Sequence, residues 1–314
     1  AAAIDATGNP FPQATEDICQ SSDAILFGAI GDPKYDNDPS AKVRPEQGLL
    51  KMRKQLGLYG NIRPVTTYEA LADMSPLKND VINGVDFVVF RELTGGIYFG
   101  EPRGRTENGE TAFDTCVYSK SEVRRISKLA FEAAGRRDKR LTLVDKANVL
   151  ASSRLWRETV TEMSDDYPDI ALDFMFVDNA AMKIIQNPGH FDVVVTENMF
   201  GDIITDEASV ISGSLGMLPS ASVGEKISLF EPIHGSYPQV AGQNKANPIG
   251  AILSSAMMLD YAFGMSEASS AIERAVLTSV EQGICTEDLK QATSYSTDEV
   301  GDFIAKQIKQ RVEA

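Results

Sequence analysis

Cysteine and histidine are scarce: the 314 residues hold three cysteines, Cys19, Cys116 and Cys285, and two histidines. The cysteines are odd in number and far apart, so neither a disulfide framework nor a thiolate zinc site is expected, and the setting reads as reducing and cytoplasmic. Long apolar runs are missing too. Stretches such as Phe87 to Phe90 and Phe191 to Val195 fall far short of the ~18 residues of a membrane helix. The opening AAAIDATGNPFPQAT has no basic segment followed by an apolar one, so no secretory signal is expected. Basic residues are in deficit, 30 against 45 acidic, for a formal charge of −15. Such a surface repels a phosphate backbone or an anionic bilayer, which argues against nucleic acid and membrane as partners. Neither G-x-G-x-x-G between strand and helix nor G-x-x-x-x-G-K-[ST] occurs, so the standard dinucleotide and P-loop readings lose support.

What is present is an ordinary globular composition, 43% hydrophobic and 24% charged, at a length that suggests two domains or one large α/β unit. Short apolar runs at 24–30, 87–90, 141–144, 172–177 and 191–195 read as buried strands. Between them comes helical periodicity, as at 122–134, where Val123, Ile126, Ala130 and Ala133 share a face before Gly135. The alternation argues for an α/β architecture with largely parallel strands, whose functional groups gather at the strands' carboxyl ends. Longer helices follow at 247–263, 266–282 and 296–312, the last opened by a capping box of Ser296 and Glu299. The GRTENGE segment, 104–110, reads as an exposed hairpin or arm.

Helix formation through FGDIITDEAS places Asp202 and Asp206, four residues apart, on one face. Their repulsion would be relieved by a hard divalent cation, magnesium or manganese, although acids so spaced also suit a solvated face. A third carboxylate is available near the end of DFMFVD, where Asp178 and Asp173 compete. Lys146 follows the strand LTLV at a position suited to a proton acceptor, or else to a surface amine. Arg53, Arg63 and Arg91 belong to no basic run. As isolated forks they suit a substrate with two carboxylates, or ordinary surface ion pairs. Tyr98, after a glycine pair, can donate a proton or simply fill a partly buried slot. Residues 231–248, EPIHGSYPQVAGQNKANP, have the composition of a loop wrapped round a ligand.

Taken together, NIRP at 61–64, RELTGGIYFGEPRG at 91–104, DKANVL at 145–150, FGDIITDEAS at 200–209, GSLGMLPSAS at 213–222 and EPIHGS at 231–236 resemble the isocitrate/isopropylmalate dehydrogenase family over nearly the whole chain. The resemblance implies a two-domain α/β fold with parallel and mixed sheets flanked by helices: a terminal, cofactor-side domain from 1–57 and 212–314, and a central one from 58–211 with a dimer arm near 100–120. It implies that Arg53, Arg63 and Arg91 hold a dicarboxylate, that Mg2+ or Mn2+ is bound by Asp178, Asp202 and Asp206, and that Lys146 and Tyr98 are the base and the acid. Asp178 also touches substrate. In family homodimers, Lys146 and Asp178 of one subunit complete the site of the other.

The EQGLLKMR segment resembles the isopropylmalate branch, in which Leu49 and Leu50 face the isopropyl group. Burial of that group contributes about 1–3 kcal/mol of discrimination. NAD would meet Glu46, His234, Gly235, Ser236, Gln239 and Asn247, with Gln239 standing where NAD-preferring relatives carry aspartate. The family's opening strand and its GDGIGPE turn have no counterpart here, so an exposed sheet edge and an incomplete cofactor wall are expected. The implied activity is NAD-dependent oxidative decarboxylation of 3-isopropylmalate in leucine biosynthesis. The alternatives are a sister enzyme of malate, tartrate or homoisocitrate, or a noncatalytic binding subunit or fragment.

Overall fold

The computed structural model describes residues 1–37 and 41–312. Among these the strands are β1 (Ile25–Leu26), β2 (Gly60–Thr66), β3 (Asp86–Glu92), β4 (Gly104–Arg105), β5 (Ala112–Phe113), β6 (Arg140–Asp145), β7 (Ala171–Phe176), β8 (Val193–Thr196), β9 (Pro219–Val223) and β10 (Ser228–Pro232). The chain divides into two compact units. The first comprises residues 1–58, 68–76 and 212–314, the second 59–67 and 77–211.

In the first unit, β9 and β10 form an antiparallel hairpin, and β10 pairs on its other side with β1 in parallel. Helices Ile249–Tyr261, Ser266–Glu281 and Thr297–Val312 bury Ile249, Leu253, Val276, Val280, Val300 and Ile304 in one cluster. Leu71 is part of that cluster, which explains why 68–76 belongs to this unit and not with its neighbours in sequence. The Ser296 capping box forms: the Ser296 N–H and hydroxyl both donate to Glu299 Oε2 at 2.8 Å.

In the second unit the strand order is β2-β3-β8-β6-β7. The pairs β3/β8, β8/β6 and β6/β7 are parallel, and β2 is antiparallel to β3. Phe87, Val89, Leu141, Leu143, Val193 and Val195 are fully buried, as strands covered on both faces require. One cover is the helix Lys120–Gly135, whose buried side includes Val123, Ile126, Ala130 and Ala133, the stripe expected from spacing. The carboxyl ends of three parallel strands lead straight into candidate residues: β3 into Arg91, β6 into Lys146 and β7 into Asp178.

Three expectations need correction. The 24–30 run is a strand only over Ile25–Leu26, because the chain then peels away through Gly28 and Gly31 toward Pro33, which opens a short helix. Asp178 does not end a strand. β7 stops at Phe176 and Asp178 lies in the first turn of the helix Val177–Gln186, where a carboxylate is favoured by the helix dipole. Strand directions are also more mixed than alternation suggests, since the first unit has the antiparallel pair β9/β10 and the second β2/β3. The 104–110 hairpin is present as β4 and β5, closed by the Thr106 N–H donating to the Thr111 carbonyl at 2.9 Å.

Candidate active site

The helix Asn198–Ser209 organises the second unit's site. It starts where the Glu197 side chain caps it, Oε1 accepting the Phe200 N–H at 2.9 Å. One turn later Asp202 and Asp206 project from the same face, and each meets an arginine. Arg63, on β2, donates from Nη1 to Asp206 Oδ1 at 2.9 Å and to Thr205 Oγ1 at 2.7 Å, and from Nε to Asn61 Oδ1 at 2.9 Å. Arg91, on β3, donates from Nη1 to Asp202 Oδ1, while its Nε and Nη2 are taken by Asn198 Oδ1 at 3.1 and 2.8 Å. Both guanidiniums are largely buried, whereas the Asp206 side chain is 69% exposed. The acids therefore stand at the open side of a cationic floor, able to leave their arginines for a cation.

Tyr98 closes this group, its hydroxyl donating to Asp202 Oδ2 at 2.9 Å. Partial burial first, and then the Asp202 carboxylate, push its pKa up to about 12. The turn that carries Tyr98 is anchored by Glu92. That fully buried carboxylate accepts the Thr94 and Gly95 N–H groups at 3.0 and 2.7 Å, and Arg125 Nη2 at 2.9 Å. Burial raises the Glu92 pKa against these hydrogen bonds, which lower it. Tyr118 forms the wall behind the turn: a Cβ added to Gly96, at φ +74°, would collide with it.

Lys146, immediately after β6, donates from Nζ to Asp178 Oδ1. The hydrogen bond from that ammonium holds the Asp178 carboxyl below the usual carboxylate range. Among the described residues no three His, Cys, Asp or Glu side chains stand together as a metal site, so Asp178 does not join Asp202 and Asp206 within one chain. The carboxylate oxygens of Asp202 and Asp206 on the helix face suit a hard divalent cation.

The remaining candidates lie in the first unit. Arg53 pairs with buried Glu231 at 3.1 Å. Leu49 is half-buried and Leu50 exposed on the helix Pro45–Gln55. Four of the expected cofactor residues surround one loop. The Ser236 N–H donates to the Ile30 carbonyl at 3.0 Å, its hydroxyl donates to the Gly31 carbonyl, and His234 Nδ1 lies 2.9 Å from the Gly235 carbonyl oxygen. Gly31 stands at φ +111°, a backbone conformation that favours glycine, with Glu46 Oε1 beside it. Asn247 is held between Asp288 Oδ2, which accepts from its Nδ2 at 3.1 Å, and the Ile249 N–H. Gln239 is exposed. Asn198, Glu197, Glu92 and Tyr118 were not legible as site residues. Only the helix start at 197–198, just ahead of FGDIITDEAS, offered a signal for the first two.

The model of the isocitrate/isopropylmalate dehydrogenase family matches residues 1–304. The 3-isopropylmalate dehydrogenase of Bacteroides fragilis strain YCH46 is 54% identical over 309 residues, covering 98% of this chain and 86% of that protein. That of Geobacillus kaustophilus is 58% identical over 291 residues, 92% of this chain and 78% of that protein. Among solved structures, the isocitrate dehydrogenase of Methylococcus capsulatus superposes with a TM-score of 0.86 at 33% identity, covering 98% of this chain and 88% of that one. A beta-decarboxylating dehydrogenase of Thermococcus kodakarensis superposes with a TM-score of 0.82 at 33% identity, covering 100% and 86%.

Proposed function

Because the chain belongs to the isocitrate/isopropylmalate dehydrogenase family, we propose that it oxidises 3-isopropylmalate with NAD and a divalent cation, Mg2+ or Mn2+. Carbon dioxide is released and 4-methyl-2-oxopentanoate remains, a step of leucine biosynthesis carried out in the cytoplasm. The observation that carries this reading is the convergence of Arg63, Arg91 and Tyr98 on Asp202 and Asp206 along one helix face.

The residues divide the work by their chemistry. Arg63 and Arg91, with Arg53, bind the two carboxylates by paired N–H donors. Asp202 and Asp206, with Asp178 of a second copy, hold the cation. When bound, that cation would supply Lewis-acid polarisation and NAD would supply the hydride acceptor. Lys146 accepts the proton of the substrate hydroxyl, directly or through a water. Tyr98, whose phenol is held above the usual phenol range by partial burial and the Asp202 carboxylate, delivers its proton to the carbon that loses carbon dioxide. Glu46, His234, Gly235, Ser236, Gln239 and Asn247 are assigned to the cofactor. Gln239 brings no cation for a 2′-phosphate, which favours NAD over NADP. Leu49 and Leu50 are assigned to the isopropyl group. Exposed Met182, Ile185 and Ile203 support a homodimer with shared sites.

The test is NADH formation followed by absorbance, with 3-isopropylmalate set against malate, tartrate, homoisocitrate and isocitrate, and with EDTA added. The expected result is preferred turnover of 3-isopropylmalate, lost on chelation and restored by Mn2+. Faster turnover of another acid would replace the substrate. Calorimetric binding of 3-isopropylmalate without NADH would leave only a binding protein.

A further inference from the structure

The Asn198 side chain is 1% exposed and is used at both ends. Its Oδ1 accepts Nε and Nη2 of Arg91, and its Nδ2 donates to the Gly95 carbonyl at 3.1 Å. Gly95 leads into the turn Gly96–Tyr98, so one amide ties the Arg91 guanidinium to the segment that carries the phenol. The amide can sit only this way round: flipped, its NH2 would face guanidinium donors and its oxygen would face a carbonyl. Its root is fixed as well. The Asn198 N–H donates to Tyr118 Oη at 2.9 Å, and that hydroxyl donates to buried Glu197 Oε2 at 3.0 Å.

These contacts close a ring. Arg91 reaches Asp202 Oδ1 and Tyr98 reaches Asp202 Oδ2 on one side, while Asn198 joins Arg91 to the Tyr98 turn on the other. When Asp202 turns its oxygens to a cation it no longer bridges arginine and phenol, and Asn198 remains as the tie. Resting on the reading of this site as a dicarboxylate dehydrogenase, we propose that Asn198 is a positioning residue that sets the separation between the carboxylate-binding Arg91 and the proton-donating Tyr98.

The two ends of the amide can be removed separately. Asn198→Asp, assayed near pH 8, keeps an oxygen acceptor for Arg91 and loses the donor to Gly95. Asn198→Leu, of similar size, loses both. With Asn198→Asp, KM and the calorimetric Kd for 3-isopropylmalate are expected to stay within about threefold while kcat falls about tenfold or more, because the misplaced group is the acid. With Asn198→Leu, KM and Kd are expected to rise about tenfold or more, as removal of a charged hydrogen bond implies, alongside the fall in kcat.

The only tryptophan, Trp156, stands edge-on to the Tyr118 ring at 5.3 Å, so its emission and thermal transition report whether the Tyr118–Asn198 packing survives. If the charged variant does not fold, Asn198→Ala takes its place and is expected to behave like Asn198→Leu. Wild-type kcat in Asn198→Asp, wild-type constants in Asn198→Ala, or kcat and KM changed in the same proportion in Asn198→Asp and Asn198→Leu would each overturn the proposal. No NADH from the unmutated chain sinks the functional reading and the proposal with it, whereas turnover without the split sinks the proposal alone.

Discussion

A phenol that gives its proton to carbon must still hold that proton at working pH, and Tyr98 meets this condition through its surroundings. Partial burial and the adjacent Asp202 carboxylate both disfavour the phenolate, and together they push the pKa up to about 12. The sign is clear: a raised pKa in a group that is neutral when protonated keeps the acid form present throughout the neutral and moderately alkaline range. Tyr98→Phe is therefore expected to lower kcat about a hundredfold, the scale of lost general acid catalysis, with little change in KM. In the cation-free protein, absorbance titration of the tyrosines should show the step lost in Tyr98→Phe lying above the usual phenol range. A lost step at or below that range would show that the environment of Tyr98 has been misread. The Lys146–Asp178 pair carries the opposite sign. Asp178 is held below the usual carboxylate range by the ammonium hydrogen bond, so the pair persists above that range and is lost only as pH falls through the depressed value.

The site exists because a helix and two strands meet at close range, and this is where sequence reading succeeds and fails. Asp202 and Asp206 were legible because helical periodicity turns a spacing of four into a shared face. The arginines were legible only as isolated cations. Their meeting depends on the antiparallel register of β2 and β3, in which Asn61 stands opposite Arg91 and Arg63 opposite Val89. That places Arg63 and Arg91 as diagonal neighbours on one side of the sheet, a fact no local pattern encodes. β2 itself went unseen because GNIRPVT interrupts its apolar residues with Gly, Asn, Arg and Pro, and β9 because PSASV offers small residues in place of a branched run. Asp178 was misplaced by two residues of helix onset, and Glu92 and Asn198 were missed because a buried polar residue is defined by its partners.

Close approach gives a sharp test of the same contact. A Cβ on Gly201, in the first turn of the 198–209 helix, would lie 2.6 Å from Arg91 Cγ and 2.8 Å from its Cβ. Gly201→Ala should thus push Arg91 off its Asn198 and Asp202 partners, raising KM for the dicarboxylate about tenfold or more. Alanine is also a better helix former than glycine, so the helix itself should not be weakened. An unchanged KM in a normally folded Gly201→Ala chain would mean that Arg91 does not bind substrate from this position.

For the whole molecule, a formal charge of −15 opposes self-association at long range, so a dimer must be held by apolar contact over a limited face. Met182 and Ile185 on the 177–186 helix, Ile203 on the 198–209 helix and Val210 just beyond it are exposed in the second unit, the unit that also holds Lys146 and Asp178. Under the proposed function, Asp178 of a second copy joins Asp202 and Asp206, because among the described residues of one chain the three do not stand together. A mixing experiment separates this arrangement from sites that are complete in each chain. Lys146→Met and Tyr98→Phe chains should each be nearly inactive alone. Unfolded, combined in equal amounts and refolded together, they form heterodimers in which one site draws intact Tyr98 from the first chain and intact Lys146 from the second, while the other site lacks both. With statistical pairing half the dimers are mixed and half of their sites are whole, so activity should recover to about one quarter of the unmutated level. Sites built within single chains would recover nothing, because every chain in the mixture carries one lesion.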